Sequence, residues 1–204
     1  VVHRDLKPAN LLIGKFGEVL VMDWGIAKVL GAPEEDLDVS EIKVSESAEL
    51  TLAGSVMGTI AYMPPEQAGG DLDQIDARSD IYSLGAVPYE ILTGSPPFEG
   101  KDSDVVLNQV KKGAFELPSV RAPETQVPPE LDAIVGKAMA RKQEDRYPSV
   151  QALHDDIEAF LEGRTLGVGR YSLLDLLSRW VKRHRAAVAV GAVGCVLLGV
   201  GALG

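Results

Sequence analysis

Three side chains near the start of this 204-residue sequence have the types and spacing for phosphoryl transfer. Asp5 lies in His3-Arg4-Asp5-Leu6-Lys7-Pro8-Ala9-Asn10, and Asp23-Trp24-Gly25 follows thirteen residues after Asn10. A phosphoryl group passing between oxygens needs alignment and charge neutralisation more than covalent chemistry. Asp5 could take the proton of an attacking hydroxyl, while Asn10 and Asp23 offer the oxygen ligands that Mg²⁺ prefers.

Such a site needs Asn10 and Asp23 to be neighbours, and the intervening residues supply the means. Leu11-Leu12-Ile13 and Glu18-Val19-Leu20-Val21-Met22 read as short strands around the turn Gly14-Lys15-Phe16-Gly17, so the segment folds back as a hairpin.

At these residues the chain resembles the eukaryotic-like bacterial Ser/Thr protein kinases, from Val1 to about Gly163. The resemblance implies Asp5 as catalytic base, Asn10 and Asp23 as Mg²⁺ ligands, and ATP as phosphoryl donor to Ser or Thr hydroxyls of protein substrates. Lys7, two residues after the base, marks the Ser/Thr type and would contact the transferred phosphate. Trp24 replaces the usual Phe and keeps a bulky aromatic for packing. The implied fold is mainly α with a short β-hairpin: the large C-terminal lobe of a kinase, followed by one transmembrane helix.

The same resemblance assigns 23–66 to an activation segment. Its stretch Pro33–Glu49 is acidic, carrying Glu34, Glu35, Asp36, Asp38, Glu41, Glu46 and Glu49, which suits a solvated loop. Arg4 would receive a phosphate placed on that loop, with Thr51 and Ser55 as candidate acceptors ahead of Ser45 and Ser47. Thr59 would bond with Lys7 and Asp5 on the substrate platform. Glu66, in Tyr62-Met63-Pro64-Pro65-Glu66, would form a buried ion pair with Arg146. Asp80 would accept hydrogen bonds from the catalytic-loop backbone.

A family member holds its nucleotide between two lobes. No Gly-rich phosphate loop or strand lysine precedes His3, and Gly167-Val168-Gly169 reads as a linker. The expectation is therefore a large lobe that binds ATP poorly when taken alone. The alternative is an inactive, kinase-derived docking module.

Net charge is −10, which argues against nucleic-acid binding. The single cysteine, Cys195, excludes a disulfide framework, and no second His or Cys joins His154 in a metal site. From Ala186 to Gly204 every residue is Ala, Val, Gly, Cys or Leu, about 28 Å of helix and close to a bilayer core. Arg179, Lys182, Arg183 and Arg185 precede that run. The positive-inside rule then predicts a single-pass protein of the inner or plasma membrane with its kinase part in the cytoplasm. Ala187, Gly191, Cys195 and Gly199 form a small-residue stripe through which two copies could pack. The expected division is kinase lobe 1–163, basic juxtamembrane linker 164–185 with an amphipathic helix around Tyr171–Val181, and membrane helix 186–204.

Between these ends, the apolar run from Asp80 to Leu92 predicts a helix capped by Ser79 or Asp80 and stopped at Gly94, with Pro88 expected to kink or weaken it. Apolar stripes predict further helices at Asp102–Lys112, Leu131–Ala140 and Val150–Leu161.

Overall fold

The computed structural model describes residues 1–29 and 58–168, mostly helical with one two-stranded sheet. The chain divides into two units, Val1–His154 and Asp155–Gly204. The expected phosphorylation sites Thr51 and Ser55, the membrane span 186–204 and its stripe Ala187, Gly191, Cys195 and Gly199 lie outside the described residues. So does the juxtamembrane helix around Tyr171–Val181. Among the described residues no helix is long and apolar enough to cross a membrane.

A 3-10 turn at Pro8–Asn10 leads directly into strand β1, Leu11–Ile13. It pairs antiparallel with β2, Val19–Val21, in the register Leu11↔Val21, Leu12↔Leu20, Ile13↔Val19. The turn between them closes with Gly14 N–H donating to Glu18 O at 2.8 Å, and Gly17 takes φ 86°, a conformation that favours glycine. An isolated antiparallel bridge between Val2 and Lys28 ties the ends of this segment together.

Helix α1 (Pro65–Gly69) packs on α3 (Ser103–Lys112). Helix α2 (Ala77–Thr93) packs on α4 (Pro118–Arg121) and α5 (Pro129–Ala138). The core gathers Tyr62, Tyr82, Ala86, Tyr89, Phe98, Val106, Val110, Val135 and Met139. Phe115 meets Tyr89 and Phe98 edge-on, at centroid distances of 5.7 and 6.4 Å. Gly85 lets α2 and α5 approach closely, since a Cβ there would lie 2.7 Å from the Ala138 Cβ.

Several sequence expectations shift here. Helix α2 starts earlier than the apolar run suggests. Its cap is Asp76, whose Oδ1 accepts the Arg78 N–H at 2.7 Å, not Ser79 or Asp80. The polar first turn hid this start, and both expected caps spend their side chains elsewhere. The helix runs through Pro88 to its stop at Gly94, which has φ 71°. Helix α3 starts at Ser103, one residue later than expected, and Asp102 caps it by accepting the Val105 N–H. Helix α5 spans Pro129–Ala138 in place of 131–140, because Pro129 is preset for a first helical position. Helix α6 spans Val150–Leu161 as expected, but its buried face is Leu153, Asp156 and Ala159, with Val150 and Leu161 exposed.

In the second unit, Gly163 turns the chain and Arg164 N–H donates to Ala159 O. The buried Asp156 carboxylate accepts the N–H groups of Gly167 and Val168.

Candidate active site

The segment from His3 to Asn10 is shaped by residues that receive its backbone. Asp80, on the first turns of α2, accepts the His3 N–H at Oδ2 (2.8 Å) and the Arg4 N–H at Oδ1 (2.9 Å). This is the contact expected of Asp80, and it explains why that carboxylate does not cap its own helix. Held in this way, Arg4 takes φ 68°, a left-handed conformation uncommon for a residue with a side chain. Its Nε donates to Ile26 O.

Asp5 follows, half-buried. Its Oδ2 accepts from Lys7 Nζ at 2.9 Å and from Asn10 Nδ2 at 2.9 Å. Asn10 Nδ2 also reaches Asp5 O at 2.8 Å. Lys7 Nζ in turn donates to Thr59 Oγ1 at 2.8 Å, bringing together residues 52 apart in sequence. Thr59 thus meets Lys7, one of the two contacts expected of it.

The hairpin register sets the second half of the site. Met22 N–H donates to Asn10 O at 2.9 Å, so Asp23 comes one residue beyond the partner of Asn10. Asp23 is exposed and takes φ 61°, which Asp tolerates better than most residues. The Asn10 amide nitrogen is committed to Asp5, so its amide oxygen is the atom left to face a cation. That oxygen and the Asp23 carboxylate fit a hard ion such as Mg²⁺, which usually takes one or two carboxylates and fills its remaining positions with water and phosphate oxygens. Among the described residues no cluster of three His, Cys, Asp or Glu side chains could hold a metal by itself.

The chain belongs to the protein kinase domain family. The family model described as "Protein kinase domain" matches residues 1–157. The sequence is 41% identical over 167 residues to the serine/threonine-protein kinase PknD of Protochlamydia amoebophila, covering 81% of this chain and 17% of that protein. It is 41% identical over 164 residues to the serine/threonine-protein kinase PknB of Mycolicibacterium smegmatis, covering 80% of this chain and 24% of the relative. The tyrosine-protein kinase MasK of Myxococcus xanthus is 40% identical over 173 residues, with coverage of 85% and 24%. The chain thus spans about a fifth of the length of these relatives.

Away from the reacting groups, this kinase domain buries the ion pair expected of Glu66 and Arg146. Arg146 Nη1 and Nη2 donate to Glu66 Oε1 and Oε2, both at 2.8 Å, a bidentate arrangement. Ser79 Oγ and Gln143 Nε2 add donors to Glu66 Oε1, and Arg146 also bonds Arg78 O and Ala140 O. Burial pushes the Glu66 carboxyl up, but the Arg146 hydrogen bonds and charge, helped by Ser79, outweigh it and hold the group below its ordinary value.

Four further side chains contribute, and sequence reasoning overlooked all of them but Trp24. His3, quoted only as part of a motif, is buried. Its Nδ1 accepts the Asp5 N–H and its Nε2 bonds Met22 O at 3.0 Å, joining the segment that bears Asp5 to the hairpin. Trp24 keeps the packing role expected of it although more than half of its surface is exposed. Its ring stacks edge-on against His3 at 4.7 Å and its indole N–H donates to Val21 O. Tyr62 O–H donates to Glu90 at 2.6 Å, and burial followed by that bond raises the Tyr62 pKa. Gln67 reaches the carbonyl of Arg4. Only the His3–Trp24 pairing had a local signal, two aromatic rings flanking a hairpin; the others depend on long-range folding.

Proposed function

We propose that this chain is the catalytic part of a membrane-anchored Ser/Thr protein kinase that transfers the γ-phosphoryl group of ATP to a protein hydroxyl. The observation that carries this reading is the state of Asp5. One carboxylate oxygen is fixed by Lys7 and Asn10, and the other accepts no hydrogen bond among the described residues. A carboxylate held on one side and open on the other is prepared to take a proton.

In this reaction the substrate hydroxyl oxygen forms a bond to the γ-phosphorus while the bond from that phosphorus to the β–γ bridging oxygen breaks. The hydroxyl proton passes to Asp5. Lys7, spanning Asp5 and Thr59, places its ammonium where it can offset charge on the transferred group. Mg²⁺, held by Asn10 and Asp23, would neutralise the phosphates.

Membrane anchoring rests on the uncharged run 186–204 behind Arg179, Lys182, Arg183 and Arg185, which also supports a cytoplasmic kinase part and pairing of two copies through Ala187, Gly191, Cys195 and Gly199. Regulation by phosphates on Thr51 or Ser55 is supported by Arg4, whose terminal guanidinium nitrogens make no hydrogen bond among the described residues.

The test is Asp5→Asn in the full product of the gene. Turnover should fall about 10²–10⁴-fold, the range for loss of a general base, with ATP binding retained. Unchanged turnover overturns the mechanism. Acid hydrolysis of the phosphorylated product should yield phosphoserine or phosphothreonine; phosphotyrosine alone would place the specificity with that of MasK.

A further inference from the structure

We infer that Gln67 is a positioning residue for Asp5, acting through the peptide of Arg4; the inference rests on the phosphoryl-transfer reading above. Arg4 is the residue immediately before the base, and its left-handed φ of 68° needs support from its surroundings. Support on the N–H side comes from Asp80 on α2. On the carbonyl side it comes from α1, where Gln67 Nε2 donates to Arg4 O at 3.0 Å.

The two supports are rigidly joined. Glu66, next to Gln67, is bonded to Ser79 of α2 and to Arg146, which itself bonds Arg78 O of α2. Arg4 is therefore gripped on both faces by one braced assembly, Glu66 anchoring it and Gln67 extending from it to the catalytic segment. Residues that order α1 thereby set the direction of Asp5.

A second observation separates this from ordinary packing. Gln67 Oε1 is buried and has no hydrogen-bond partner among the described residues. A buried amide oxygen left unpaired is destabilising, and an apolar side chain of the same shape would avoid it. Glutamine at this position serves its donor, and the unpaired oxygen accompanies it.

The experiment compares Gln67→Met and Gln67→Glu with the unaltered full gene product. Methionine keeps the length and helix preference, lacks the donor and removes the unpaired oxygen. Gln67→Met exchanges the unpaired Oε1 for an unpaired Arg4 O, so the melting temperature should change little, while kcat falls about tenfold with the KM for ATP unchanged, as expected for a misaligned base. Amide hydrogen exchange at Arg4 and Asp5 should speed up about fivefold or more. Gln67→Glu, which places a carboxylate against a carbonyl, should lower kcat further. If Gln67→Met leaves kcat and exchange as they were, or loses activity only in step with melting temperature, the inference falls. Should the unaltered protein transfer no phosphoryl group, the catalytic reading fails alone, and the exchange measurement still decides whether Gln67 holds Arg4.

Discussion

The hairpin and the helical body are both rich in apolar residues but use them in opposite ways. In the body, Tyr82, Val106, Val110 and Met139 are wholly buried. In the hairpin, Ile13 is 74% and Phe16 90% exposed, and all three residues of β2 are exposed. A two-stranded sheet is marginal alone, so the hairpin does not hold the site in place by burial. It is held by polar contacts at its base, among them His3 to Met22 O, Met22 to Asn10 O and the Val2–Lys28 bridge. The body supplies stability and the hairpin supplies the ends of two strands. The candidate site residues can then be displayed at a surface without being loose, because the backbone that bears them is bonded to the buried His3 and to Asp80.

The largest effect expected from the body follows from its buried ion pair. Arg146→Ala should destabilise folding by about 3–5 kcal/mol, because Glu66 would be left as an uncompensated buried charge. For a domain of this size that lowers the melting temperature by roughly 10 °C. The pair also sets an acid limit. The Glu66 carboxyl lies below its ordinary 4.5 in the folded chain, so its contribution is fully present above that value and is lost as pH falls through the lower folded one. The gap in melting temperature between the native protein and Glu66→Gln should therefore be widest near neutral pH and shrink below about pH 4.5. A gap that widened on acidification would break the assignment.

Next in size is the contact of α2 with α5. Gly85→Ala would put a methyl 2.7 Å from the Ala138 Cβ and 2.9 Å from the Met139 Cγ. Overpacking of this kind costs about 1–3 kcal/mol, against the small gain alanine brings to a helix interior. Chemical denaturation should show a lowered midpoint; a raised one would mean the helices separate freely.

These contacts also show what the sequence discloses. Asp5, Lys7 and Asn10 were readable because they lie within a few residues on one loop, and hairpin periodicity carries Asp23 to them. The bonds from Lys7 to Thr59, from His3 and Arg4 to Asp80 and from Glu66 to Arg146 cross 52 to 80 residues, so only a family resemblance could suggest them. Gln67, Ser79 and Gln143 carry no local signal at all, since a polar residue in a helix looks the same whether it faces solvent or a buried carboxylate. The cap at Asp76 escapes for a related reason: Asp80 looks like an equally good cap until its carboxylate is seen to receive the His3 and Arg4 N–H groups.

A smaller effect, of opposite sign, comes from Tyr82. Its ring is fully buried and lies against the Arg146 guanidinium at 4.8 Å, yet its hydroxyl finds no partner among the described residues. Burial raises its pKa, so the hydroxyl keeps its proton. Tyr82→Phe removes an unsatisfied polar group while retaining the ring, and should leave stability unchanged or raise it by about 1 kcal/mol. A clear loss would show that the hydroxyl is bonded after all.

The smallest expected effect tests the contrast most directly, because it concerns the largest exposed side chain of the hairpin. Phe16 sits in the turn between β1 and β2 with almost all of its surface in water. Removing a ring that is already solvated forfeits almost no burial, and Gly14 and Gly17 set the turn through backbone geometry independent of it. Phe16→Ser should accordingly change stability by less than about 0.5 kcal/mol. The same deletion of an aromatic ring at Tyr89, in the body, should cost about 3–5 kcal/mol. Equal costs at the two sites, measured by denaturation of this chain, would mean that the hairpin is covered in solution and contributes to the core as the helices do.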